Sequence, residues 1–167
     1  MNISEALRKI KKLKGQLAIE DKRFVSSVSW QDEKLPVYNF AETEDAINQI
    51  SSELVSLEAV VAEANAVTKV NFKDKEVSLA WLIRHLQEIK AKISKYESLH
   101  IRIESVETSE YVYDEDKDKN IRIKKIVTFN SAISERDKDK RVQDLKDDFE
   151  TANKLLEEMN HKTVLPI

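Results

Sequence analysis

The sequence predicts a mostly α fold. The expected architecture is an antiparallel four-helix, coiled-coil-like bundle with a minor α+β component. It is built from two helix–β-hairpin–helix halves, with both hairpins at one end. Three observations predict it. Four segments place apolar residues three and four apart. Two stretches between them carry β-branched and aromatic residues around polar turns. Two of the helical segments close alike, on Asn65-Ala66-Val67-Thr68 and on Asn160-His161-Lys162-Thr163.

The four seams run in order along the chain. The first is Ile3, Ala6, Ile10, Leu13 and Leu17; the second is Ile47, Ile50, Leu54, Leu57, Val61 and Ala64. The third is Leu79, Leu82, Leu86, Ile89, Ile93 and Tyr96; the fourth is Val142, Leu145, Phe149, Ala152, Leu156 and Met159. A repeat near 3.5 residues gives each helix a narrow apolar stripe. The flanking residues are largely Lys, Glu, Asp and Gln, as a solvated face requires. Ser4, Thr43, Ser78 and Asn130 or Ser131 are the expected N-caps, because a short oxygen-bearing side chain can accept from an orphan helical N–H. Gly15 falls inside the first helix, where it costs up to about 1 kcal/mol relative to alanine. A close helix crossing would explain it.

The first hairpin is expected over Arg23–Trp30 and Leu35–Phe40, around the turn Gln31-Asp32-Glu33-Lys34. Pro36 confines its strand to an edge, and continuation of the first helix through Val28 is the alternative. The second is expected over Glu110–Tyr113 and Ile121–Phe129, around the charged tip Asp114 to Asn120. The 167 residues then form a single domain, with pseudo-repeat halves 1–72 and 76–167.

Composition narrows the function. The chain is 35% charged with a formal net charge of −3, and lacks the basic excess that nucleic-acid binding would call for. With no cysteine there is neither disulfide nor thiol chemistry, and a reducing compartment is compatible. No apolar run reaches membrane-spanning length, and Met-Asn-Ile-Ser-Glu does not read as a signal peptide, so a cytoplasmic protein is expected. A single glycine leaves no room for a phosphate-binding glycine loop.

Antiparallel topology would bring the starts of the first and third helices beside the ends of the second and fourth. Ser4, Asn65, Thr68, Lys69, Ser78, Arg84, Asn160, His161, Lys162 and Thr163 would then gather at one end. Free helix N–H groups, amides, hydroxyls and cations together suit a small anionic or nucleotide-like ligand. Plain helix termination by Asn, Ser and Thr accounts for the same residues more economically. Arg122 and Lys124 alternate with Ile121 and Ile123, as gatekeeping charge on an exposed strand would. His85 and Glu88 lie one turn apart, but a surface pair explains them better than half a metal site or an acid–base pair. The acidic tip lacks the glycine and bidentate Glu of a calcium loop. No metal or cofactor is expected.

Four runs stand out together: Ser4-Glu5-Ala6-Leu7, Asn65-Ala66-Val67-Thr68, Ala80-Trp81-Leu82-Ile83-Arg84 and the closing run Leu155 to Leu165. In these the chain resembles the septicolysin-like family of short, uncharacterised bacterial proteins. These short motifs span nearly the whole chain. His161 stands where that family usually has Trp, and Leu156 where it has Gln. The resemblance implies a helical protein without an established activity. The family label suggests a toxin, but the sequence has no apolar insertion segment.

The leading expectation is a non-enzymatic binding or scaffold protein that forms homo-oligomers through its seams. The alternative is a phage- or mobile-element-type protein that sequesters a small anionic ligand at the Asn-x-x-Thr ends. A hydrolase using His85 and Glu88 ranks last.

Overall fold

A computed structural model describes residues 1–31 and 33–166. The order of elements is α1 (Ile3–Ser27), α2 (Phe40–Val67), β1 (Lys69–Phe72), β2 (Lys75–Ser78), α3 (Leu79–Glu97), β3 (Glu104–Asp114), β4 (Lys119–Phe129) and α4 (Glu135–Lys162). The fold is mostly α with two small antiparallel sheets, β1–β2 and β3–β4. It is mixed α+β rather than the expected four-helix bundle. The residues group into two compact units: 1–87 with 150–167, and 88–149. That division cuts through α3 and α4.

In the first unit, α1 and α2 pack side by side and antiparallel, with Phe24 and Phe40 in ring contact at 4.7 Å where the two helices meet. Their predicted stripes are the buried faces: Ile3, Ala6, Ile10 and Leu13 on α1, and Leu54, Leu57, Val61 and Ala64 on α2. The pairs Lys9–Glu53 and Lys14–Glu58 flank the seam at 2.5 and 2.7 Å. All four side chains are half-exposed, so each pair contributes at most about 1 kcal/mol. Val70, Phe72, Leu79, Leu82, Leu86, Ala152 and Leu165 complete this core.

Among the described residues the expected first hairpin does not form. α1 continues through Ser27, with Val28 as its C-cap, as the alternative reading allowed. The Ser26 and Ser27 hydroxyls donate back to the carbonyls of Arg23 and Phe24, so the serines stay within the last turn. The aromatic and β-branched residues close the corner between the helices instead of pairing as strands. Asp32, in the expected polar turn, lies outside the described residues.

A hairpin occurs where none was expected. Lys69–Phe72 pairs with Lys75–Ser78 through a two-residue turn in which Lys73 and Asp74 both have positive φ, 49° and 62°. That is the primed geometry that suits a tight hairpin, made here without its usual Asn or Gly. Val70 and Phe72 point into the core while Lys69 and Asn71 face solvent.

Three caps also differ from expectation. Asn2, not Ser4, caps α1: its side chain accepts from the Glu5 N–H, and the Glu5 carboxylate accepts from the Asn2 N–H. Asn39, not Thr43, caps α2; Thr43 is buried and its hydroxyl donates to the Asn39 carbonyl. Ser134, not Asn130 or Ser131, opens α4 in a reciprocal pair with Asp137. Ser78 caps α3 as expected, accepting from the Trp81 N–H. A Cβ built on Gly15 meets nothing within 4 Å, so no close crossing requires this glycine.

In the second unit, the end of α3 and the start of α4 run antiparallel. Lys146 pairs with Glu97 at 3.0 Å, Lys138 donates to the Leu99 carbonyl at 3.4 Å, and Lys90 lies 5.1 Å from the Phe149 ring centre. The predicted β3–β4 hairpin is present and begins six residues earlier than the sequence suggested, at Glu104. Arg102 stacks on Phe129 at its base.

The Ser134–Asp137 box gives a pH prediction. Hydrogen bonds from the Ser134 hydroxyl and backbone hold the Asp137 carboxyl below its ordinary value. A depressed carboxyl stabilises the fold above the ordinary carboxylate range, near pH 4, and that contribution is lost as pH falls through the folded-state value. Acidification is therefore expected to loosen the first turn of α4 before the rest of the helix. Amide exchange at Glu135–Lys138 would read this. In Asp137→Asn the first turn should exchange faster at neutral pH and lose its acid-dependent step; an unchanged step would sink the assignment.

Candidate functional site

The helix ends named by the sequence lie in the first unit, where backbone hydrogen bonds organise them. The Thr68 carbonyl accepts from the Leu79 N–H at 3.1 Å, joining the end of α2 to the start of α3. Lys69 pairs with Ser78 in the β1–β2 ladder. The Thr163 carbonyl accepts from the Ile3 N–H at 3.2 Å, and the Leu165 N–H donates to the Met1 carbonyl at 2.8 Å, joining the start of α1 to the end of α4. Asn2 and Val164 face each other in this short bridge. Antiparallel packing of α1 and α2 brings both junctions toward the same end of the unit.

The side chains are less convergent than the backbone. Ser78 spends its hydroxyl on the α3 cap. Lys162 pairs with Glu158 at 2.5 Å, and this contact holds the Glu158 carboxyl below its usual range. Arg84 reaches Gln87 within its own helix. Lys69 and His161 are exposed; Ser4, Thr68, Asn160 and Thr163 are half-buried. Asn65 stands apart. Its Oδ1 is buried without a hydrogen-bond partner. An orphaned acceptor calls for a donor, so it fits a hydroxyl or amine better than the oxyanion expected from sequence.

Sequence reasoning missed two features. The first is an aromatic cluster: His85 stacks on Trp81 with ring centres 4.7 Å apart and meets Phe72 edge-on at 5.5 Å. The i, i+4 spacing of Trp81 and His85 was its available signal. This packing accounts for His85 better than an acid–base role does. The second is a groove of about 520 Å³ between the end of α3 and the start of α4. Tyr96, Leu99 and Leu145 line it together with Lys92, Lys95, Arg141 and Asp144. Arg141 donates to the Tyr96 hydroxyl at 3.2 Å, which strengthens its hold on its proton. Among the described residues no group of three or more His, Cys, Asp or Glu could hold a metal ion. No helix among them is long and apolar enough to cross a membrane.

The class of protein these observations define is a mostly α chain with two small antiparallel sheets. Its fold is similar to that in a crystal structure of a functionally unknown conserved protein from Corynebacterium diphtheriae. The TM-score is 0.75 at 14% sequence identity, and the match covers 99% of this chain and 98% of the other. At that identity the likeness concerns the fold alone. No family model and no curated protein matches the sequence.

Proposed function

We propose that the chain is a non-enzymatic interaction protein that works as a homo-oligomer. One observation carries this reading. None of the residues of β3 and β4, all of them described, is buried, although each strand is 11 residues long. A two-stranded hairpin alone is marginally stable in water, and one this long is expected to gain a covering surface. The seam of α4 points the same way: Ala152 is its one buried residue, while Val142, Leu145, Phe149, Leu156 and Met159 are half-buried. Coiled-coil-like contacts between copies would complete it. Kinship with septicolysin-like proteins belongs to the same proposal. Sedimentation at micromolar concentration tests the reading: a dimer or higher species is expected, and a strict monomer would overturn it.

A second reading, binding of a small anionic ligand, has its own support. The groove beside Tyr96 offers an apolar floor with Lys92, Lys95 and Arg141 around it. A ligand with an apolar body and an anionic end fits that chemistry. Thermal-shift measurements with nucleotides and aromatic carboxylates test it. Stabilisation lost in Arg141→Ala would assign the groove. Stabilisation lost in Asn65→Ala instead would assign the helix ends.

A further inference from the structure

The β3–β4 hairpin segregates charge by strand. β3 carries Glu104, Glu107, Glu110 and Asp114 and no cation; β4 carries Lys119, Arg122, Lys124 and Lys125 and no anion. Register divides these residues between two faces. Pairs 104–129, 106–127, 108–125, 110–123, 112–121 and 114–119 share one face, and pairs 105–128, 107–126, 109–124, 111–122 and 113–120 the other. The first face holds Val106, Val112, Ile121, Ile123, Val127 and Phe129. It is the more apolar face: Val106, Ile121, Val127 and Phe129 are half-buried on it, and Val112 and Ile123 are 41% and 43% exposed. Its charged members are Glu104, Glu110 and Asp114 on one strand, and Lys119 and Lys125 on the other.

We infer that this face docks on the same face of a second copy, around a two-fold axis parallel to the strands. The charge pattern selects that axis. Rotation about it lays β3 of one hairpin over β4 of the other, tip over tip. Asp114 then meets the second copy's Lys119, Glu110 lies diagonal to its Lys125, and Val106 and Val112 face its Val127 and Ile121. A two-fold axis across the strands would instead lay β3 on β3 and bring Asp114 onto Glu104. Side-by-side joining of acidic and basic edges would satisfy the charges but would not close at two copies. Face-to-face stacking closes, buries the apolar positions, and matches the aligned packing of twisted sheets about 10 Å apart.

This inference rests on the self-association proposed above, and the test separates the two. Full-length Glu110→Lys and Lys125→Glu variants are prepared singly, as an equimolar mixture, and as the double exchange in one chain. Glu110 and Lys125 pair within one hairpin at 3.8 Å, so each single variant sets like charges against each other inside its own hairpin as well as in its homodimer, and dimer affinity should fall at least tenfold; the mixture keeps the first repulsion and relieves only the second. The mixture should restore a heterodimer in sedimentation, and the double exchange should dimerise like the parent. Circular dichroism checks that the helices are intact; should a single variant unfold, Val112→Glu on the same face decides instead, with at least a tenfold loss of dimer affinity expected and unchanged association overturning the face. Association unchanged in both single variants would overturn the hairpin face and leave self-association standing. So would single variants that weaken but recover neither in the mixture nor in the double exchange. A monomeric parent protein would overturn both.

Discussion

Leu82→Ala is expected to cost about 2–5 kcal/mol, the largest effect of any single truncation proposed for this chain. Leu82, Leu79 and Ile3 are the largest fully buried side chains among the described residues. Leu82 lies in the first turn of α3, directly after β2, where Val70 and Phe72 also enter the core. Truncation removes apolar atoms from a site whose walls are set by a helix and a sheet, so little collapse is expected to fill the cavity. Small domains hold only about 5–15 kcal/mol in total, which makes such a loss a large share. Urea unfolding followed by tryptophan fluorescence in a Trp30→Phe background would measure it, since the remaining Trp81 sits against His85 in the same unit. Leu82→Met, which keeps most of the volume, should cost under about 1.5 kcal/mol. Equal losses in the two variants would show that packing volume at Leu82 is not what stabilises the unit.

Gly15→Ala is expected to act in the opposite direction and stabilise the protein by about 1 kcal/mol. Gly15 lies in the middle of a 25-residue helix and has no positive φ. The added methyl meets nothing within 4 Å. Only helix propensity and the reduced freedom of the unfolded chain remain, and both favour alanine. A rise in Tm of about 2–4 °C follows for a chain of this size. A fall would mean that another surface approaches α1 at Gly15, as in an oligomer whose contact needs a bare backbone.

These residues show what was legible in the sequence. The three-four spacing identified Ile3, Ala6, Ile10 and Leu13, and likewise Leu79, Leu82, Leu86 and Ile89, as buried positions. Spacing reports which face of a helix is apolar, but not which helix covers it. The bundle arrangement therefore did not follow from it. The β3–β4 hairpin was legible because its strands are long and its tip strongly polar. β1–β2 was hidden by its turn: Lys73 and Asp74 adopt left-handed backbone that sequence patterns assign to Asn and Gly. The missing first hairpin was misread because Phe24 and Phe40 serve a helix–helix corner with strand-like composition. At the helix ends, composition identified Asn65, Thr68, Ser78 and Thr163. It could not separate backbone junctions from side-chain chemistry, and only geometry singles out the Asn65 oxygen.

The ladder between Met1–Ile3 and Thr163–Leu165 bears on how the protein is made. The first unit is discontinuous, with residues 1–87 waiting for 150–167. A ribosome delivers α1, α2 and the β1–β2 hairpin first, but Ile3 gains its partner at Thr163 only after the whole intervening stretch has emerged. During that interval the N-terminal segment can hold helix and hairpin but not its closed core. The β3–β4 hairpin, whose ladder is entirely local, can form while synthesis continues. The order of synthesis thus completes this hairpin before the first unit can close, so the pairing of copies proposed above would be open to chains still being translated.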